Sequence, residues 1–247
     1  MPRLIRALSF LSALTLLAGI CAGAFTLLNY QWQWDLAGSY WRLLRDGWLT
    51  TLGISALALP LSCLVGLVFA LARRSPWMPL RDVARIYVEL TRGTPLLVQL
   101  FIYWYAFGQK LSNDYRLLAG ALILSLFEGA YISEIFRAGI ESIGASQLET
   151  ARALGFTGRQ TYRYVIFPQA LRQSLPPLAG QFASIIKDSS LLSVLGIAEF
   201  SLAASQVNSI TYTTFELYLP LALGYLVLTL PISLWTQRLE ARARFDT

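Results

Sequence analysis

Residues 146–168 read SQLETARALGFTGRQTYRYVIFP, a basic segment lying between two strongly apolar runs. Its punctuation is helical. Ser146 and Glu149 have the S-x-x-E spacing in which the serine hydroxyl accepts from the N–H three residues on, while the glutamate reaches back to the serine N–H. The run QLETARAL favours helix. Gly155 supplies a stop, because glycine takes the left-handed conformation that follows a helix end without strain. Thr157 and Gln160 repeat the capping device as T-x-x-Q, and Pro168 predicts that the second helix ends near Ile166. The loop at about 145–168 is therefore expected to be two short, stiff helices joined at Gly155. Capping alone fits equally a lever that passes motion to another protein and a surface pair that merely joins two spans.

The flanks say where this loop sits. Of 247 residues, 55% are hydrophobic and only 14% are charged, against about a quarter charged in a soluble domain. The expected fold is all-α, a polytopic bundle of transmembrane helices. Apolar runs long enough to suggest spans cover 7–28, 48–72, 96–108, 117–137, 174–196 and 215–237. The first could also be a signal peptide, but its length favours a retained span. Residues 32–47 mix Trp and Tyr with charge and predict a segment lying at the interface. Thr94, followed by Pro95, predicts an N-cap for the short third span. The chain divides into residues 1–40, with the extra first span, and 41–247, the main bundle carrying the 145–168 loop.

Net charge is +6, from 20 Lys and Arg against 14 Asp and Glu. With the N-terminus inside, fifteen of the basic residues fall in inner segments, four in outer ones, and Lys187 within a span. This is a positive-inside bias rather than a nucleic-acid footprint. It places both termini and the 145–168 loop in the cytoplasm. The chain has no histidine, which removes most zinc sites, serine-type triads and haem ligation. Cys21 and Cys63 both lie in apolar runs, where a structural disulfide is not expected. No G-x-x-x-x-G-K-[ST] loop is present, so any ATP would be bound by another chain.

The spacing within the loop carries more. ETARALG at 149–155 resembles the E-A-A-x-x-x-G signature of ATP-binding-cassette importer permeases, with Thr150 in place of the first Ala. In that family nine residues and then I-x-L-P follow the Gly; here 156–164 are nine residues and V-I-F-P follows at 165–168. YVELTRGTPLLVQLF (87–101), GAYISEIFRAGI (129–140), PQALRQSLPPL (168–178) and KDSSLLSVLGIAEF (187–200) are similar to the polar amino-acid uptake branch of that family. The resemblance runs from about residue 41 to the C-terminus, with the first span outside it.

The resemblance implies a permease subunit in a prokaryotic cytoplasmic (inner) membrane that is not itself an enzyme. Two such subunits, identical or paralogous, would form the pathway. Two ATPase subunits would bind ATP and Mg beneath them, and an external solute-binding protein would deliver a polar amino acid. This chain would hold no cofactor. Glu149, Ala151, Ala153, Leu154 and Gly155 would form the coupling element that docks on the ATPase.

Polar residues inside the spans are the candidates for the solute path. Lys187 and Asp188 each cost roughly 2.5 to 3.5 kcal/mol at a helix centre on insertion scales, so they must face a cavity or find partners. Either they form an ion network pinning a helix break at 187–190, with Ser189 in it, or they line the path. Glu128 is expected near mid-span, with Tyr131 one turn away. A carboxylate there either meets a solute ammonium, which leans toward a basic amino acid, or makes an inter-helix salt bridge with Lys187. Glu134 is expected to pair with Arg137. The competing function is a stand-alone secondary transporter or channel, which needs no ATPase and gives the two-helix loop no purpose.

Overall fold

The computed structural model describes residues 30–108 and 115–243 continuously, with scattered helical positions between 11 and 26. The expected first span, 7–28, lies outside the continuously described residues. Every regular element among the described residues is helical. In chain order they are α1 (Trp34–Gly38), α2 (Trp41–Ala72), α3 (Met78–Gly93), α4 (Leu96–Phe107), α5 (Arg116–Glu141), α6 (Ala145–Ala153) and α7 (Gly158–Thr161). A π-helical turn (Tyr162–Ile166) leads into α8 (Phe167–Asp188), then a 3-10 segment (Ser189–Leu195), α9 (Phe200–Thr211) and α10 (Thr214–Ala243). Among the described residues, three helices are long and apolar enough to cross a membrane: Trp41–Ala72, Arg116–Glu141 and Thr214–Glu240. A further candidate is the bent pair Gly158–Leu195 and Phe200–Thr211, which turns by 48°. At about 1.5 Å per residue, the 12-residue α4 reaches only about 18 Å, short of a ~30 Å hydrocarbon core.

The core is a slab of α2, α4, α5, α8 and the 3-10 segment around Leu100, Leu124, Ile185, Leu192 and Ile197. α2 and α5 share its tightest seam. A Cβ on Gly66 would lie 2.5 Å from Ile132 Cγ2 and 3.0 Å from the Ser133 nitrogen; one on Gly129 would lie 2.4 Å from Val65 Cγ1. Missing side chains let two backbones approach, which matters most where lipid removes the hydrophobic drive between helices.

The local expectations fail where a distant partner intervenes. Residues 32–47 do not form one interfacial segment: α1 is five residues long and Trp41 already opens α2. Gly47 allows this continuation, since a Cβ there would stand 2.8 Å from Ala203 Cβ and 3.1 Å from the Glu199 carbonyl. Thr94 is no N-cap. It closes α3, donating its hydroxyl to Leu90 O at 2.9 Å and accepting from Gln99 Nε2 at 2.6 Å, while Pro95 precedes α4. Residues 197–214, expected as an outer loop, contain α9. Its N-cap is Glu199, whose carboxylate accepts from Ser201 N at 2.9 Å and Leu202 N at 2.7 Å.

Pro168 does not end the second loop helix. The ring of a helical proline clashes with the carbonyl four residues back and its nitrogen donates nothing. The π-turn at Tyr162–Ile166 absorbs that misfit, and Pro168 sits in the first turn of α8. From Gly158 to Leu195 the chain is one helical rod. The helix changes from α to 3-10 at Asp188–Ser189, the expected place for a break, but the rod continues and the 48° bend lies beyond it, between Leu195 and Phe200.

Buried carboxylates tie the outer elements to this slab. Glu199 also accepts from Tyr225 Oη on α10 at 2.8 Å and from Thr51 Oγ1 on α2 at 3.3 Å. Glu216, at the start of α10, accepts from Tyr30 Oη and from the Gln33 nitrogen, each at 2.6 Å, and so anchors the segment before α1.

Gly66→Leu drives a branched side chain into Ile132 and the α5 backbone. Overpacking of this kind costs about 1–3 kcal/mol or more. Thermal unfolding of the purified chain in detergent should show a midpoint several degrees lower, whereas Gly53→Ala, where nothing lies within 4 Å, should leave it unchanged.

Candidate functional site

Two regions hold the candidate residues: a cleft inside the bundle and the loop beyond its end. The cleft, about 510 Å³, opens between α3, α5 and α8. Tyr131 and Glu134 line one wall, Arg92 another, and Gln173, Pro177 and Gln181 a third. The last three are spaced four apart and so share one face of α8. The Arg92 guanidinium stands 5.5 Å from the Tyr131 ring centroid, a cation–π geometry.

At the inner end of the cleft Gln181 donates its amide to Glu128, which is fully buried. Asp188, seven residues beyond Gln181 on the same face of α8, lies near Glu128 as well. The other Glu128 oxygen, Oε1, has no partner in the chain. Two carboxyl groups thus meet inside the bundle with an amide as their companion.

The salt bridge considered between Glu128 and Lys187 is not formed among the described residues. Lys187 and Asp188 are neighbours on a helix, about 100° apart around its axis, so only one can face α5. Asp188 does, and Lys187 is exposed on the other side. Ser189 is buried and donates to Ile186 O at 2.7 Å, a local bond at the α-to-3-10 junction. Tyr131 lines the cleft together with Gln181, and Glu128 lies buried behind Gln181 with Asp188 near it, whereas Lys187 and Ser189 are not brought there. Gln181 escaped the sequence reading, although it lies seven residues before Asp188, on the same helical face.

Glu134 floors the cleft. Arg137 donates to it at 2.7 Å, the pairing expected from spacing, and Arg73 at the end of α2 is also bonded to it. Arg92 from α3 approaches to 3.7 Å. One half-buried carboxylate thus holds three helices, and Arg137 is shared with Glu141.

Beyond this end, α5 turns into α6. The expected capping box at Ser146 and Glu149 is not formed: Gly144 is the N-cap, Ala145 opens the helix, and no side chain caps it. Ser142 fixes the exit from α5, donating to Gly139 O at 2.8 Å and pairing with Gln173 of α8, and the helix begins two residues early. Ser146 is left inside the first turn, with Glu149 exposed.

The far end follows the expectation. Gly155 has φ +76°, its N–H bonds to Arg152 O at 2.9 Å, and the Phe156 N–H bonds to Ala151 O at 3.0 Å. This paired arrangement closes a helix on a glycine. Thr157 and Gln160 cap α7 reciprocally. Ala151 is buried against the body, while Glu149, Ala153, Leu154 and Gly155 face outward. Leu154 is 70% exposed and Tyr164 62%, with Phe156 and Tyr164 paired at 6.3 Å between centroids. An apolar ridge of this kind, on rigid turns beyond the spans, is a contact surface.

Comparison with known proteins places this architecture. Residues 58–245 match the family model described as binding-protein-dependent transport system inner membrane component. The chain is 35% identical over 217 residues to the glutamine transport system permease protein of Escherichia coli (strain K12), covering 87% of this chain and 99% of that one. It is 37% identical over 211 residues to the L-cystine transport system permease protein of Bacillus subtilis (strain 168), covering 85% and 90%. Among solved structures it is similar to an amino acid ABC transporter crystallised with histidines, with a TM-score of 0.78 and 36% identity, covering 86% of this chain and all of that one.

Glu134→Gln leaves three guanidiniums gathered without their shared anion. Removing one partner of a fully buried pair costs about 3–5 kcal/mol, and partial exposure here reduces that to about 2 kcal/mol. Thermal unfolding should register the loss, and Arg73→Gln combined with Glu134→Gln should cost less than the two singles added.

Proposed function

The chain belongs to the family of binding-protein-dependent transport system inner membrane components, and from that premise we propose how it works: it is the permease subunit of an ATP-binding-cassette importer for polar amino acids. Its relatives handle glutamine and cystine at nearly equal identity, so the solute is set by side chains in the path rather than by kinship. The proposed partners are two ATPase subunits that bind ATP and Mg, a second permease subunit, identical or paralogous, and an external solute-binding protein. The termini and the α6 loop face the cytoplasm, in keeping with the basic residues on that side.

The observation that carries this reading is the mechanical continuity of the loop with the cleft. α6, held by Gly155 to α7, exposes Glu149, Ala153 and Leu154. α7, the π-turn and α8 are one rod, and Gln181 on that rod holds Glu128. When ATP draws the two ATPase subunits together, a docked α6 is displaced and the rod moves with it. The Gln181–Glu128 contact and the α8 wall of the cleft then shift relative to α5. Alternating access follows from rigid-body motion and needs no chemistry in this chain. A stand-alone transporter has no use for the exposed lever.

Glu128, Tyr131 and Asp188 form the solute-facing end of the cleft in this reading. The free Glu128 oxygen and the adjoining Asp188 carboxyl suit an ammonium group, and a second cationic group of a basic amino acid fits the same pair. Lys187 and Ser189 stand at the α-to-3-10 junction instead.

Co-purification tests the assignment. The tagged chain should capture its ATPase, and Glu149→Lys combined with Gly155→Pro should reduce capture by roughly tenfold or more while the chain still elutes as a folded species. Full solute uptake by the chain alone in vesicles would establish the stand-alone reading instead. For the site, Glu128→Gln in the assembled importer should weaken uptake of arginine or lysine by roughly tenfold, about 1.4 kcal/mol, with a smaller effect on glutamine. Equal affinities before and after the change would remove Glu128 from the path.

A further inference from the structure

A second cleft lies at the same end of the bundle, along the same face of α3 that carries Arg92. It encloses about 210 Å³ and is lined by Arg73, Arg74, Arg81, Asp82, Arg85, Arg137 and Glu141. We propose that this cleft binds the phosphate headgroup of an anionic phospholipid from the cytoplasmic leaflet.

The guanidiniums are not equivalent. Arg73 and Arg137 are fixed by Glu134, and Arg137 also by Glu141. They form a rigid wall whose charge is already shared. Arg74, Arg81 and Arg85 make no ion pair among the described residues, and all three are exposed around the rim. Arg81 and Arg85 are one turn apart on α3 and face the cleft together. Five guanidiniums stand against the carboxylates of Asp82, Glu141 and the neighbouring Glu134, so positive charge is left over. Phosphate oxygens accept from such forks in pairs.

The lipid source follows from the rest of α3. Val83, Ile86 and Leu90 form an exposed row at i, i+3 and i+7, with Met78 and Leu80 exposed before them. The opposite face, Ala84, Val88 and Thr91, is buried in the protein. α3 therefore presents an apolar row outward, about 150° around the helix from its arginine pair, as an amphipathic helix lying in a membrane interface does. Basic pockets between spans on the cytoplasmic side suit anionic headgroups. A soluble phosphate would engage the guanidiniums alone, whereas a phospholipid reaches them from the membrane surface in which the apolar row of the same helix is embedded. Arg73 and Arg74 are adjacent in the sequence; the fold adds Arg81, Arg85 and Arg137, which lie up to 64 residues further along.

The proposal rests on the cytoplasmic orientation of this end, which is tested separately by labelling Ser75→Cys in membrane vesicles. Labelling from the outer side only would overturn the leaflet assignment and the proposal with it. For the site, the full chain purified in detergent is titrated with phosphatidylglycerol, phosphatidylcholine or inorganic phosphate, and bound lipid is read by native mass spectrometry alongside the thermal unfolding midpoint. Phosphatidylglycerol should bind in preference and raise the midpoint. Arg74→Gln, Arg81→Gln and Arg85→Gln should each weaken binding by roughly fivefold, and the triple variant by roughly a hundredfold. Asp82→Asn removes a competing anion and should tighten binding by a few fold, a gain that misfolding does not produce. Equal retention of phosphatidylcholine, equal protection by inorganic phosphate, or wild-type binding in the triple variant would overturn the proposal even where the labelling and ATPase capture behave as expected.

Discussion

The Glu134 carboxylate is the constraint on which the rest of the arrangement turns. It joins Arg73 at the end of α2, Arg92 on α3 and Arg137 on its own helix. These are the elements that surround both clefts, and this is the end from which α6 departs. In a medium with little water, four charged groups either meet or cost several kcal/mol each. Meeting here fixes the depth at which α2, α3 and α5 end, and so fixes where the loop begins. The same knot sets the floor of the solute cleft and the wall of the arginine cleft, which makes the two clefts neighbours on one frame.

Force applied to the loop has a defined route because of Pro168. A helix stop there would have left a joint between α7 and α8, and motion would be lost in it. The π-turn removes the stop without removing the proline. The joints that remain are Gly155, with its left-handed backbone, and the 48° bend between Leu195 and Phe200. Between them lies a stiff lever carrying Gln173, Pro177 and Gln181 along the cleft.

Buried carboxylates do different work according to their company. Glu199 receives two backbone N–H groups, a tyrosine and a threonine, and its burial is compensated in full. Glu216 is likewise held by Tyr30 and Gln33. Both are structural fasteners. Glu128 has an amide and a second carboxyl for company and keeps one oxygen free. An acid left incompletely satisfied inside the bundle is costly there, which sets Glu128 apart from the two fasteners.

The sequence by itself determined the all-helical apolar bundle, the stop at Gly155, the Thr157–Gln160 cap and the Glu134–Arg137 pair. Each depends on residues within a few positions of one another, or on composition, and local physics suffices. The tertiary structure decided the rest. The start of α6 moved because Ser142 answers to Gln173 across 31 residues. Glu199 became the cap of an unforeseen helix that is held to Thr51, 148 residues away. Glu128 found Gln181 rather than Lys187 because these positions lie on different faces of α8 and Lys187 is turned outward. Spacing along a chain tells which side chains share a face; only packing tells what that face meets.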